Sequence, residues 1–157
     1  MTAPNVTHRG PGVQVPPPLI FVAGFVLGWL MGGVWPLGPA SPVIEVIGAV
    51  IAGAGLALVS WAMSTFLLAG TPIMPNRPAT TLVTHGPYRY SRNPMYTALT
   101  LVYVGLALAT ATWWALVLLP LVLYVLHRAV IAREERYLTQ AFGDAYRDYT
   151  RAVRRWF

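Results

Sequence analysis

Three long apolar runs, at 19–35, 43–69 and 95–126, constrain this chain more than anything else in it. A backbone amide or carbonyl in hydrocarbon has no water to bond, so such a segment must satisfy its own polar groups, as an α-helix does. One crossing takes about 20 apolar residues. The first run is close to that length. The second, at about 1.5 Å per residue, reaches near 40 Å and must tilt or protrude. The third is too long for one straight crossing and has to fold back. Only 10% of the 157 residues are charged, against roughly 25% in an ordinary soluble domain, which places the chain among integral membrane proteins.

Pro36, Gly38, Pro39 and Pro42 punctuate an uncharged turn between the first two runs. In the third run the break is expected at Thr110-Ala111-Thr112, with Trp113-Trp114 as an interfacial anchor and Pro120 kinking the helix that follows. Arginines flank the runs at Arg9, Arg77, Arg92 and Arg128. If each of them keeps to the positive side, the crossings between successive arginines must be even in number. Four crossings then put all eleven arginines on one face, with both termini cytoplasmic. That placement, rather than nucleic-acid binding, accounts for the net charge of +6. The expected fold is all-α and integral to the membrane, with four transmembrane helices and a cytoplasmic C-terminal helical extension. Its segments are a disordered cytoplasmic tail (1–18), helices one and two (19–70), a cytoplasmic loop (71–94), a helical hairpin (95–133) and amphipathic helices (134–157). The tail lacks the basic-then-apolar pattern of a signal peptide. Arginine without lysine, with abundant alanine, points to a bacterium with a GC-rich genome, hence a bacterial inner membrane. No cysteine is present, so thiolate nucleophiles and thiolate metal sites are excluded, and three scattered histidines argue against any metal site.

The polar stretch 82–96 holds the chemistry. It mixes arginines, tyrosines, a histidine and two prolines, and leads straight into the third run. Pro94 suits the first position of a helix, Asn93 reads as its N-cap, and the free amides beyond, with Arg92 beside them, form an anion site. Tyr88, Tyr90 and Tyr96 read either as an interfacial belt or as a pocket whose ring faces attract a cation by roughly 0.5–2 kcal/mol. Glu134 and Glu135, two of five acidic residues, read either as ion-pair partners of Arg133, Arg136 or the loop arginines, or as acceptors for a ligand. Gly143 is expected as a C′ residue and Asp144 as the N-cap of a last basic, aromatic helix suited to the headgroup layer. Gly24, Gly28 and Gly32, and Ala49, Gly53 and Ala57, recur every four residues, which close helix packing explains, within the chain or across a homodimer. Glu45 reads as an interfacial residue and His127 as a hydrogen-bonded one.

The loop from Gly86 to Tyr96, a helical hairpin, and then Arg133-Glu134-Glu135 with Leu138, Phe142-Gly143, Tyr146, Tyr149 and Arg154 resemble the isoprenylcysteine carboxyl methyltransferase and phospholipid methyltransferase superfamily. The resemblance covers roughly 75–157. It implies an integral membrane enzyme using S-adenosylmethionine. By position it implies cofactor contacts at Leu82, Val83, Tyr88, Asn93, Pro94, Tyr96 and one of Glu134 or Glu135, with Arg133 nearer the substrate; His85, Gly86 and Arg92 of the same loop are expected beside the cofactor too, and Arg133 and Glu134 are the expected catalytic residues. Asn93 stands where the eukaryotic pattern has histidine, and Ala98 where it has glycine.

A carboxylate acceptor is ionised at pH 7, so its alkylation by a sulfonium needs alignment and exclusion of water rather than a base. An amine acceptor would need Glu134, Glu135 or His127 to take its proton. The scarcity of bases favours a carboxylate, and the resemblance implies a lipidic or lipidated, isoprenylcysteine-like small acceptor reached among membrane lipids. Two other readings are an NADPH-dependent membrane reductase of the sterol-reductase type and a non-catalytic membrane scaffold. Titration with S-adenosylmethionine and with NADPH separates the three.

Overall fold

The structure, a computed structural model, describes residues 11–13, 15–70 and 79–156. Six α-helices make up most of it: α1 (Pro17–Val34), α2 (Pro42–Leu68), α3 (Pro94–Ala109), α4 (Trp113–Leu126), α5 (Ala132–Phe142) and α6 (Asp144–Ala152). Among the described residues there is no strand. The expected residues 1–10 of the tail, with His8 and Arg9, and Arg77 of the loop lie outside the described residues.

Among the described residues three helices are long and apolar enough to cross a membrane: α1, α2 and the continuous helix Trp113–Phe142 that carries α4 and α5. α3 has 16 residues, about 24 Å, short of a roughly 30 Å hydrocarbon core. The third apolar run breaks at Thr110–Thr112, where Ala111 takes a positive φ of 50°. Each early helix opens on proline, which loses nothing in a first turn where its amide would have had no partner. α1 thus starts at Pro17, inside the segment expected as tail. Val13 is buried and Gly12 accepts a hydrogen bond from Arg133 at 3.1 Å, so 11–13 pack on the body instead of trailing free.

Small residues set the packing. A Cβ on Gly28 would strike the backbone of Ala115, and one on Gly24 the side chain of Val122, so α1 lies against α4. Gly48 and Gly55 likewise meet the α3 backbone at Gly105, Ala109 and Ala98, and Gly105 meets Ala52. Tyr103 locks the centre, with its ring edge-on to Phe21 and Phe25 at 5.9 Å and its hydroxyl donating to the Ala115 carbonyl at 2.8 Å. At one end of the bundle Trp114 Nε1 donates to the Trp35 carbonyl at 2.6 Å, and Gly38 abuts Trp113, so the two short turns sit side by side.

At the other end the long helix does something periodicity does not announce. Residues His127–Ile131 form a π turn. One extra residue rotates everything beyond by about 100° relative to an uninterrupted α-helix. Val130 and Ile131 are fully buried there, and α5 leaves the turn with Glu134 and Glu135 facing the loop between α2 and α3.

Candidate active site

The loop reaches the site through a 3₁₀ turn, Gly86–Arg89. Gly86 has φ of 61° and leaves no room for a Cβ beside Thr65 of α2, so glycine is needed twice over. Beyond it, residues 91–93 bind the segment after α6. The Arg92 amide donates to the Arg154 carbonyl at 2.9 Å. The fully buried Ser91 hydroxyl donates to the Arg155 carbonyl at 3.1 Å and accepts from the Asn93 amide at 3.2 Å. Asn93 occupies the position before α3, yet its side chain caps nothing: Nδ2 donates to the Arg155 carbonyl at 3.4 Å, while its own carbonyl accepts from Tyr96 and Thr97. The expected cap is therefore a tie to the C-terminal segment.

These elements enclose a cavity of about 140 Å³. Leu82, Val83, Tyr88, Arg92, Asn93, Pro94 and Tyr96 line it from the loop side, and Glu134 and Glu135 from α5. Tyr137, Tyr146 and Tyr149 complete the aromatic wall, and Pro11 touches its rim. Other expected residues fall elsewhere. His85 is exposed, Gly86 packs on Thr65, and neither lines the cavity. Tyr90 turns outward under Arg89, whose guanidinium stands 5.8 Å from its ring. Arg133 reaches away to Gly12. Glu45 sits in the first turn of α2, where the helix dipole favours an anion.

The two adjacent glutamates have different surroundings. Glu135 accepts a forked pair of hydrogen bonds from Arg155, 2.9 Å from Nε and 2.8 Å from Nη2, and a longer one from Arg92 at 3.4 Å. Glu134 has no arginine partner among the described residues; both its oxygens lie near the Tyr96 hydroxyl, at 2.8 and 2.9 Å. Glu134 belongs to the amphipathic α5, beyond the apolar stretch of α4, and burial pushes its carboxyl up to about 7, the Tyr96 hydrogen bond pulling the other way and the Glu135 charge adding to the rise. Arg92 Nε is buried without a hydrogen-bond partner among the described residues. The site therefore holds an anion lacking a cation and a buried donor lacking an acceptor.

Arg155 and the roles of Tyr137 and Tyr149 escape sequence reasoning. The Tyr149 hydroxyl donates to the Tyr88 carbonyl at 2.6 Å, and the Tyr137 hydroxyl accepts from the Ala79 amide at 3.0 Å. The tyrosine face of α6 thus turns inward, and only its arginine face, with Arg147 and Arg151 paired to Asp144 and Asp148, meets the exterior. Asp144 is the first residue of α6, not its cap. The spacing of Tyr146 and Tyr149 is the one signal that could have found this buried face. Among the described residues no group of three or more histidine, aspartate or glutamate side chains could hold a metal.

The profile of the phospholipid methyltransferase family matches residues 43–145, about two-thirds of the chain. The chain belongs to the phospholipid methyltransferase family. The match begins in α2 and ends at the start of α6, so it takes in the loop, α3, α4 and α5, while Tyr146, Tyr149 and Arg155 lie outside it. The cobalt-zinc-cadmium resistance protein CzcN of Cupriavidus metallidurans is 31% identical over 138 residues, 87% of this chain and 60% of that protein. The protein-S-isoprenylcysteine O-methyltransferase of Schizosaccharomyces pombe is 35% identical over 72 residues, 46% of this chain and 30% of that enzyme. The chain thus matches less than two-thirds of the length of either relative. No solved structure shows a significant match.

Proposed function

We propose that this member of the phospholipid methyltransferase family is a membrane enzyme that methylates a lipidic or lipidated acceptor, with S-adenosylmethionine as donor and a carboxylate as the favoured acceptor. One observation carries the reading: Glu134, a carboxylate without a cationic partner among the described residues, stands in a cavity walled by tyrosines. A cationic ligand supplies what that carboxylate lacks, and aromatic faces attract such a cation. Arg92, with its orphaned Nε, suits a ligand carboxylate. The donor set therefore fits a ligand carrying both charges. The cavity is smaller than the roughly 300 Å³ at which sites for drug-sized ligands begin. Full entry therefore asks the wall to move.

When bound, S-adenosylmethionine supplies an electrophilic methyl group. The chain's own residues orient and enclose. Glu134 sets the position of positive charge, Tyr88 and Tyr96 exclude water, and Glu135, clamped by Arg92 and Arg155, anchors the loop instead of meeting ligand. For a carboxylate acceptor that suffices. For an amine acceptor Glu134, poised at about 7, is the group placed to take the proton. His127 does not line the cavity.

The acceptor's lipid part reaches this end of the bundle through the bilayer, in a topology of four crossings with both termini cytoplasmic. The described arginines gather at the end opposite the two tryptophan-rich turns, which supports that orientation. The short α3 is accommodated by local thinning of the bilayer. Calorimetric titration of the purified full chain tests the reading: S-adenosylmethionine should bind, and NADPH should not. Binding of NADPH alone would return the chain to the reductase reading.

A further inference from the structure

On the far side of the Glu135–Arg155 pair lies a second, larger concavity, a groove of about 690 Å³ between the π turn, α5 and the C-terminal segment. His127, Arg128, Arg133, Arg136 and Arg155 line it, with Glu135 as its one carboxylate among the described residues. Glu135 is already shared by Arg92 and Arg155. The remaining ion pairs among the described residues join Arg147 to Asp144 and Arg151 to Asp148, out on α6. Arg128, Arg133 and Arg136 belong to none of them. Arg133 donates to the Gly12 carbonyl and Arg136 Nε to the Ala132 carbonyl, both neutral acceptors. Three guanidinium groups with no anionic partner among the described residues are therefore held around one hollow. A positive-side excess explains arginines near a membrane, but it does not require them to converge.

Its position says what would fill it. Arg128 follows Leu121 and Tyr124 at helical spacing, and Val117, Leu121 and Tyr124 are 56%, 55% and 61% exposed on α4. An apolar stripe thus runs into a basic hollow at the end of a helix long enough to cross the bilayer. An anion carried on acyl chains matches both parts, and basic pockets at the cytoplasmic ends of transmembrane helices bind such headgroups.

We propose that this groove is a binding site for a phosphate-bearing anion, presented by an anionic membrane lipid whose chains lie along α4. The site is separate from the methyl-transfer cavity and goes beyond that reading, since it requires neither cofactor nor turnover.

The test reconstitutes the full chain in phosphatidylcholine nanodiscs with and without phosphatidylglycerol and scores the lipid retained by native mass spectrometry. Phosphatidylglycerol should stay on the unchanged protein and on Arg147→Gln/Arg151→Gln, which removes as much charge from α6. Retention should fall at least tenfold in Arg128→Gln/Arg136→Gln. Should that double variant fail to fold, Arg128→Gln and Arg136→Gln are scored singly, each expected to retain less than the α6 control. A parallel arm adds inorganic phosphate: displacement of the lipid only at high excess assigns the site to lipid, and displacement by dilute phosphate assigns the same groove to the free ion. Equal retention in the groove variants and the α6 control would overturn the proposal.

Discussion

The α2–α3 interface and the wall of the cavity lie in one small bundle and are built by opposite means. At the interface there is almost no side chain: Gly48, Ala52 and Gly55 meet Ala98, Gly105 and Ala109 nearly backbone to backbone. In the wall side chains reach out to backbone groups far away in sequence, Ser91 and Asn93 to the Arg155 carbonyl, Tyr149 to the Tyr88 carbonyl, Tyr137 to the Ala79 amide. The difference follows from the solvent. Lipid gives helices no hydrophobic reason to associate, so close van der Waals approach has to hold them. At the polar end water competes for every donor, and what orders a loop there is a set of charge-assisted or buried hydrogen bonds.

That contrast can be broken at its strong end. Gly105→Leu forces a side chain into the Ala52 backbone, which cannot give way as a flexible side chain could. The cost should be at least the roughly 1–3 kcal/mol of ordinary overpacking, seen as loss of a folded, monodisperse protein in detergent. A middle-sized effect is expected at the wall. Arg155→Ala leaves Glu135 with only the 3.4 Å contact to Arg92, and S-adenosylmethionine affinity should drop about tenfold, roughly 1.4 kcal/mol, while the melting temperature moves little; the two readouts on one preparation separate anchoring of the site from anchoring of the fold. The smallest effect marks the edge of the interface. Gly53→Leu, on the outward side of α2 where a Cβ meets nothing within 4 Å, should leave the melting temperature unchanged.

The sequence is legible where a pattern is local. Apolar runs bounded by Pro36, Pro42 and Thr110–Thr112 mark the helices, and the pairing of the 82–96 loop with Glu134 and Glu135 is visible as two polar islands on one end of a membrane bundle. It is illegible where a long-range partner decides. Asn93 has every local reason to cap α3, but its side chain caps nothing and is tied through Nδ2 to the Arg155 carbonyl. Tyr146 and Tyr149 look interfacial until the loop offers the Tyr88 carbonyl. The π turn at His127–Ile131 has no period of its own in the sequence, because one inserted residue is a property of packing around Val130 and Ile131. Glu134 and Glu135 are neighbours in sequence, and only their partners, tyrosine for one and two arginines for the other, tell them apart.

The central claim is that Glu134 is the cavity's anion for a cationic ligand, and its titration tests that most directly. Its carboxyl is raised to about 7 in the ligand-free protein, so below that pH it is mostly protonated and a cation must displace the proton to bind. Affinity for S-adenosylmethionine should therefore rise as pH goes up through about 7, by as much as tenfold per unit on the acid side, and level off above it. Calorimetric titration across that range, on the unchanged protein and on Glu134→Gln, is the measurement. The account predicts a rise with pH in the first and a weak, pH-independent affinity in the second. Tight binding in Glu134→Gln with the same pH profile as the unchanged protein would contradict it.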